Sequence, residues 1–283
     1  MLIDLHSHTN ISDGLDSPQV IIEKAKSAGV QVLAITDHDS ISGWQKLMAT
    51  SNGGELTIVP GAEISCRTAD GISVHILGYL FNPTNSSLND FMSRTQEDRI
   101  PRIKKIIGLL NAAGITITFE DVLLHSKSAS TIGRPHLADA LIESNLVASR
   151  AEAFDTYLNN DSPFYVPYSA PTPLQAITAI KEAEGVSVLA HGLAGSRGET
   201  LSVNEIQQLI ESGLDGLEVD HRDHPAQARN TLREIAESYQ VFATGSSDYH
   251  GNFGAQRLAM EVTAPAVWEG ILAQGKGSEV FTI

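Results

Sequence analysis

The feature that most constrains this chain is a recurring unit. A short apolar run ends in histidine or an acid, and a helix-like stretch follows. Residues 2–5 end in His6-Ser7-His8, and residues 30–36 end in Asp37-His38-Asp39. Residues 56–59 are closed by Pro60-Gly61-Ala62-Glu63, and residues 72–80 carry His75 inside the run. Late in the chain, residues 186–190 end in His191, residues 214–219 lead to His221, and residues 241–244 lead to Ser247-Asp248-Tyr249-His250. Strands alternating with helices imply an α/β fold with a mostly parallel sheet or barrel. In barrels the polar rim after the strands is where active sites sit.

Helix signals fall between these runs. Ser17 reads as an N-cap with Pro18 at the first helical position, and the helix stops at Gly29. Further helices are expected around residues 44–49, 172–184, 203–212 and 226–239. Residues 84–168 break the rhythm with a long helix over roughly 88–113 and mainly helical segments after 119. The expected organisation is a barrel from 1–83 and 169–283, carrying an inserted, mostly helical cap at 84–168. The insert has 8 bases and 10 acids, against 11 bases and 24 acids in the remainder. The insert can thus lend Arg residues to an acidic mouth.

With 283 residues, 42% of them hydrophobic, the chain can bury one large barrel core. A net charge of −15 argues against sequence-independent duplex binding, which needs many Lys and Arg on the phosphates. It leaves room for a small phosphorylated ligand. The single cysteine, Cys66, rules out a disulfide within the chain and fits a reducing compartment. The start has no basic segment leading into a long apolar run, and no apolar run is long enough to span a membrane. A cytoplasmic protein with no membrane or duplex nucleic-acid partner is expected.

The strand-end residues carry metal chemistry. Residues i and i+2 on a strand share a face, so His6 and His8 can reach one ion together, as can Asp248 and His250. Asp13, His38, Glu63, His75 and His191 lie near other strand ends. A mixed His/carboxylate set suits Zn, Mn or Fe, and a carboxylate such as Glu63 can bridge two ions. Arg99 and Arg102, spaced i, i+3, share a face of the long insert helix. Arg matches phosphate in a bidentate fork, so both are candidate substrate residues, with Arg134 and His136 flanking Pro135. His221 and His224 are candidate catalytic residues that donate a proton to the leaving group or bind phosphate. Asp37, with Asp39, is a candidate to orient His38 or a water. His125 fits no role. The aromatic residues form no stripe for stacking single strands.

Together, Asp4-Leu-His6-Ser-His8-Thr, Asp13-Gly14, Ile35-Thr-Asp37-His38-Asp39, Pro60-Gly-Ala-Glu63-Ile, His75-Ile-Leu-Gly-Tyr, Ala190-His191 and Ser247-Asp248-Tyr-His250 resemble the PHP (polymerase and histidinol phosphatase) superfamily. The helical insert and Gly133-Arg134-Pro135-His136 resemble the branch that hydrolyses nucleoside 3′,5′-bisphosphates, some members of which trim short RNA from the 5′ end. The resemblance implies an irregular seven-stranded β/α barrel and two or three divalent ions, Mn²⁺ foremost, with Zn²⁺ or Fe²⁺ as alternatives. His6, His8, Glu63 and Asp248 would hold the first ion. Glu63, His75 and His191 would hold the second, and Asp13, His38 and His250 the third. Asp13 stands where other members carry His.

Two such ions roughly 3.5–4 Å apart lower the pKa of a shared water and clamp phosphoryl oxygens. The expected reaction is removal of the 3′-phosphate from a nucleoside 3′,5′-bisphosphate, by a hydroxide bridging the ions. Alternatives are a 5′→3′ exoribonuclease acting on short 5′-phosphorylated, single-stranded RNA, a histidinol-phosphate phosphatase, and a non-catalytic metal-binding module.

Overall fold

A computed structural model describes residues 1–126, 132–167, 169–251 and 256–283. The strands are β1 (Ile3–Asp4), β2 (Val32–Ile35), β3 (Thr57–Arg67), β4 (Ser73–Tyr79), β5 (Val186–Leu189), β6 (Gly216–Asp220), β7 (Phe242–Gly245) and β8 (Phe281–Thr282). The first seven run side by side in chain order, and β8 pairs with β3. A bridge between Ser7 and Tyr249 joins the segments that follow β1 and β7. The result is a nearly closed, seven-stranded α/β barrel of mixed strand direction, as the expected fold class requires.

Mixed direction is the main departure from the simple β/α rhythm. β4 is antiparallel to both β3 and β5, whereas the other neighbours among β1–β7 are parallel. Only residues 68–72 join β3 to β4, and a parallel crossover needs a dozen residues or more. β3 is also longer than the apolar run 56–59 suggests. It continues through Pro60 and Glu63 because β4 pairs with residues 61–67 of it. Glu63 therefore sits within a strand, opposite Leu77.

Helices α1 (Pro18–Ser27), α2 (Ser42–Met48), α7 (Pro173–Glu182), α8 (Val203–Glu211), α9 (Ala226–Tyr239) and α10 (Pro265–Gln274) cover the barrel. Their starts follow local chemistry. Ser17 Oγ accepts from the Val20 N–H, and Thr172 and Ser202 form reciprocal capping boxes with Gln175 and Glu205. Between β4 and α7 lie α3 (Ser86–Ala112), α4 (Phe119–Ser126), α5 (Arg134–Glu143) and α6 (Arg150–Ala153), with a single π-turn at Phe154–Leu158. These helices have an apolar cluster of their own, drawn from Ile103 to Leu158. It is separate from the clusters around the strands. Pro101 stands inside α3 between Arg99 and Arg102. No helix among the described residues is long and apolar enough to cross a membrane.

Candidate metal centre and its cleft

Strand geometry brings the histidines together. His6 and His8 point to one face after β1, while Ser7 turns the other way and donates to Ala34 O at 2.6 Å. The same alternation holds at Asp248 and His250, where Tyr249 is buried in a neighbouring apolar cluster and its hydroxyl bonds Asp16. His38 follows β2 and bridges to Glu63. His75 comes from β4, and His191 from the end of β5. Backbone at His191 (φ 33) and Asp248 (φ 47) is left-handed, the kind of local strain that collects at functional sites.

Glu63 stands at the centre. Its Oε1 lies 2.8 Å from His75 Nδ1 and 3.0 Å from His191 Nε2. Its Oε2 lies 3.2 Å from His6 Nε2, 3.1 Å from His8 Nε2 and 3.2 Å from His38 Nδ1. Burial favours the neutral acid, but His38, His75 and His6 outweigh it and hold the carboxyl well below its ordinary pKa.

Among the described residues, three groups of donor atoms are compact enough to hold an ion: His6, His8, Glu63 and Asp248; His8, Asp13, His38 and His250; and His38, Glu63 and His75. The first matches the set the resemblance implies. The others differ in detail. His191 stands beside Glu63 as expected, but His38 is not confined to one group. It turns Nδ1 to Glu63 at 3.2 Å and Nε2 to Asp13 at 3.7 Å. His8 likewise spans two groups, with Nδ1 3.7 Å from Asp13. Asp13 is also 3.3 Å from His250 Nε2.

The chemistry of the first group fits a divalent cation. Its five His–His and His–carboxylate separations run from 3.0 to 3.3 Å. Ligand atoms tetrahedrally placed about 2.0–2.1 Å from a cation lie about 3.3 Å apart. Asp248 Oδ1 is buried and makes no hydrogen bond among the described residues, yet three ring nitrogens face it at 3.2–3.4 Å. Protons supply the positive charge such a site demands. Burial opposes charge on His6, but Asp248, Glu63 and Glu218 raise its pKa well above the ordinary value. His8 is pushed up to about 10 against its burial by the carboxylates of Asp248, Glu63 and Asp13. Burial and the nearby Arg197 hold His191 down to about 3. Burial also keeps His38 neutral, well below its usual range.

Groups behind the cluster orient it. Glu218, in β6, is fully buried; its Oε1 accepts from His6 Nδ1 at 3.0 Å and its Oε2 from the His191 N–H at 2.7 Å. This carboxylate fixes which nitrogen of His6 faces inward. Its pKa is held at about 2, since His6 and His221 outweigh the burial that works against its charge. Asp4 holds Ser247 and Ala259, and Asp39 holds Ser65 and Arg99. Glu218, Arg197 and Arg222 stand outside the motifs legible in the sequence, and Asp4 lies in one of them without an expected role. For Glu218 a signal existed: an acid between Leu217 and Val219 in a strand-like run.

The expected catalytic residues sit behind the cluster. Asp37 is buried and accepts from the Thr9 N–H, the Thr9 hydroxyl and the Ser12 hydroxyl at 2.7–2.8 Å, bracing the loop that carries His8 and Asp13. Burial raises its pKa. His221 is buried, with Nδ1 accepting from the Asp223 N–H at 3.1 Å and Nε2 facing Asp248 Oδ2 at 3.3 Å. His224 donates from Nδ1 to Val219 O at 2.9 Å and accepts at Nε2 from the Leu193 N–H at 3.2 Å. It clasps two loops, and burial lowers its pKa.

A cleft of about 960 Å³ opens from Asp13, His38, His75, His191 and His250 toward the helical segment. Arg99, Arg102, Arg134 and Arg150 line it. Arg99 Nη2 also bonds Asp39 Oδ2 at 2.5 Å and Ser65 Oγ at 3.0 Å. Arg102 and Arg134 flank the Tyr165 ring at 5.4 and 5.8 Å. His136 is not among the lining residues. It is buried, and its Nδ1 accepts from the Gly133 N–H at 3.1 Å, capping α5. Burial lowers its pKa.

Barrel, histidine–carboxylate cluster and Arg-lined cleft define a metal-dependent phosphoesterase. The PHP domain profile matches residues 4–262, and the chain belongs to that family. It is 29% identical over 248 residues to a 3′,5′-nucleoside bisphosphate phosphatase of Chromobacterium violaceum, covering 88% of this chain and 87% of that one. It is 30% identical over 277 residues to the 5′-3′ exoribonuclease Rnm of Salmonella typhimurium, covering 96% and 92%. A solved structure assigned as a metal-dependent phosphoesterase of Bifidobacterium adolescentis superposes with a TM-score of 0.90 at 34% identity, covering 96% of each chain.

Proposed function

We propose that the protein removes the 3′-phosphate from nucleoside 3′,5′-bisphosphates, leaving the 5′-monophosphate and inorganic phosphate. One observation carries this reading. A single cleft joins the histidine–carboxylate cluster to Arg99, Arg102, Arg134 and Arg150, so it offers two separate attractions for anions. A substrate with two phosphates uses both. The bisphosphate phosphatase relative supports the same choice.

In this reading His6, His8, Glu63 and Asp248 would hold one cation, Glu63, His75 and His191 would hold a second, and Asp13, His38 and His250 would complete the set. Such cations acidify a water and neutralise phosphoryl charge. The chain's own groups do the rest. Glu218 keeps His6 Nε2 aimed inward, and Asp37 fixes the loop of His8 and Asp13. The helical segment 84–168 acts as a cap whose guanidiniums grip the 5′-phosphate in bidentate fashion. In the hydrolysis, a water oxygen bonds to phosphorus. The ester P–O bond breaks with its electron pair on the ribose oxygen, which takes the water's proton.

A second reading is supported by the cleft's volume, near the upper end of the 300–1,000 Å³ common for small-ligand pockets. It can admit the 5′ end of a short RNA, the substrate type of the exoribonuclease relative. Mn²⁺-loaded protein should be assayed side by side on adenosine 3′,5′-bisphosphate, a 5′-phosphorylated oligoribonucleotide and histidinol phosphate, with His6→Ala as control. Phosphate release from the bisphosphate at rates above the other two supports the proposal. Release no faster than the control dismisses it.

A further inference from the structure

The two oxygens of Asp248 face different neighbours. Oδ1 looks into the imidazole cluster. Oδ2 meets Arg197 Nη2 at 2.5 Å, His221 Nε2 at 3.3 Å and Arg222 Nη2 at 3.7 Å. Arg197 is held again by Asp223, whose Oδ2 accepts from Nε at 2.9 Å. Arg222 Nε lies 3.6 Å from Asp223 Oδ1. Both arginines line the cleft, from loops that follow β5 and β6 rather than from the helical segment.

Two features of this pair remain unexplained by structural support alone. Arg222 Nη1 is buried and makes no hydrogen bond among the described residues. A guanidinium carries five N–H donors in a fixed fork, and buried donors left unpaired are costly. The charge balance also changes when the site is loaded. Two guanidiniums face two carboxylates, Asp248 and Asp223, but Asp248 then shares its charge with a cation. The pair is left with surplus positive charge directly beside the reacting centre, and phosphate oxygens match that fork.

We propose that Arg197 and Arg222 bind the non-bridging oxygens of the phosphoryl group under attack, with Asp223 holding Arg197 in place. The arginines stay charged throughout. They gain or lose no proton while water adds to phosphorus and the ester oxygen departs with the water's proton. This role is distinct from that of the cap arginines, which come from the helical segment. It rests on the phosphoester chemistry of the cleft and not on the nucleotide reading.

Inorganic phosphate, the product of any phosphomonoester hydrolysis, is the direct probe. Its Kd for the Mn²⁺-loaded protein is measured by calorimetry for wild type, Arg222→Gln, Arg222→Lys and Arg197→Lys, alongside bound Mn²⁺. The expected result is a rise in Kd of at least tenfold in each variant with Mn²⁺ content unchanged, and partial recovery of binding by Arg222→Gln in added guanidinium. Turnover of p-nitrophenyl phosphate should fall about 100-fold or more, as when one transition-state donor is removed. Arg222→Lys keeps the charge but not the fork, so it decides the matter if the Gln variant fails to fold. Kd values within twofold of wild type, or weakened phosphate binding only in step with lost Mn²⁺, would assign the pair to support of Asp248 and overturn the proposal. Neither the probe nor the ester contains a nucleoside, so failure of the nucleotide reading leaves this result intact.

Discussion

Replacing Glu218 by Gln removes a buried charge while keeping the shape, and the structure shows why no orientation of the amide can compensate. Glu218 accepts two hydrogen bonds, from His6 Nδ1 at 3.0 Å and from the His191 N–H at 2.7 Å. If the new NH₂ faces the His191 N–H, two donors oppose each other, and a buried N–H is left unpaired at about 1–3 kcal/mol. If the NH₂ faces His6, it donates to Nδ1 and drives the ring proton to Nε2. That nitrogen is the one facing His8, Glu63 and Asp248, so the ligand position is blocked. Partners behind metal ligands typically set 10–100-fold in metal affinity, about 1.4–2.7 kcal/mol. Mn²⁺ affinity, read by competition with a chelator, should fall in that range, and activity should recover partly in excess Mn²⁺. Wild-type Mn²⁺ affinity in a folded Glu218→Gln protein would refute the orienting role.

Other consequences follow from the same cluster. Metal-free protein should be most stable near pH 6.5: His8 has its folded pKa raised to about 10, so its contribution is full below 6.5 and is lost as pH rises through 10. His191 has its folded pKa lowered to about 3, so stability falls as pH drops from 6.5 toward 3, and Glu218 adds to this acid loss between 4.5 and about 2. Melting curves of chelated protein across pH test this, and a flat profile between pH 6.5 and 10 would contradict it. Mn²⁺ binding at pH 7 should release protons, because His6 and His8 must give them up; calorimetry in buffers of different ionisation heat gives the number, and zero would count against the assignment. Gly43→Ala should destabilise by about 1–3 kcal/mol, because a methyl group there overlaps Asp37 Oδ2; an unchanged melting temperature would remove Gly43 from the account.

What the sequence reveals here is what local geometry dictates. The i, i+2 alternation places His6 with His8, and Asp248 with His250, without knowledge of the rest of the chain. Ser17 and Thr172 mark helix starts because their side chains cap the first turn, and Pro18 because its fixed φ suits the first helical position. The antiparallel β4 was hidden because direction depends on a five-residue connection, not on the apolar pattern. The short strand β8, which pairs with β3, carries too little pattern to be seen. The roles of histidines were equally hidden. His136, His221 and His224 look alike in sequence, yet Gly133, Asp223, and Val219 with Leu193 fix what their ring nitrogens do. Arg197 and Arg222 belong to loops without periodicity, so only folding reveals that both approach Asp248.

Anomalous diffraction from crystals of Mn²⁺-loaded protein locates the bound ions. A strong peak is expected within coordination distance of His6 Nε2, His8 Nε2, Glu63 Oε2 and Asp248 Oδ1. Bound Mn²⁺ found only elsewhere, with this cluster empty and its imidazoles still bonded to the carboxylates, would contradict it.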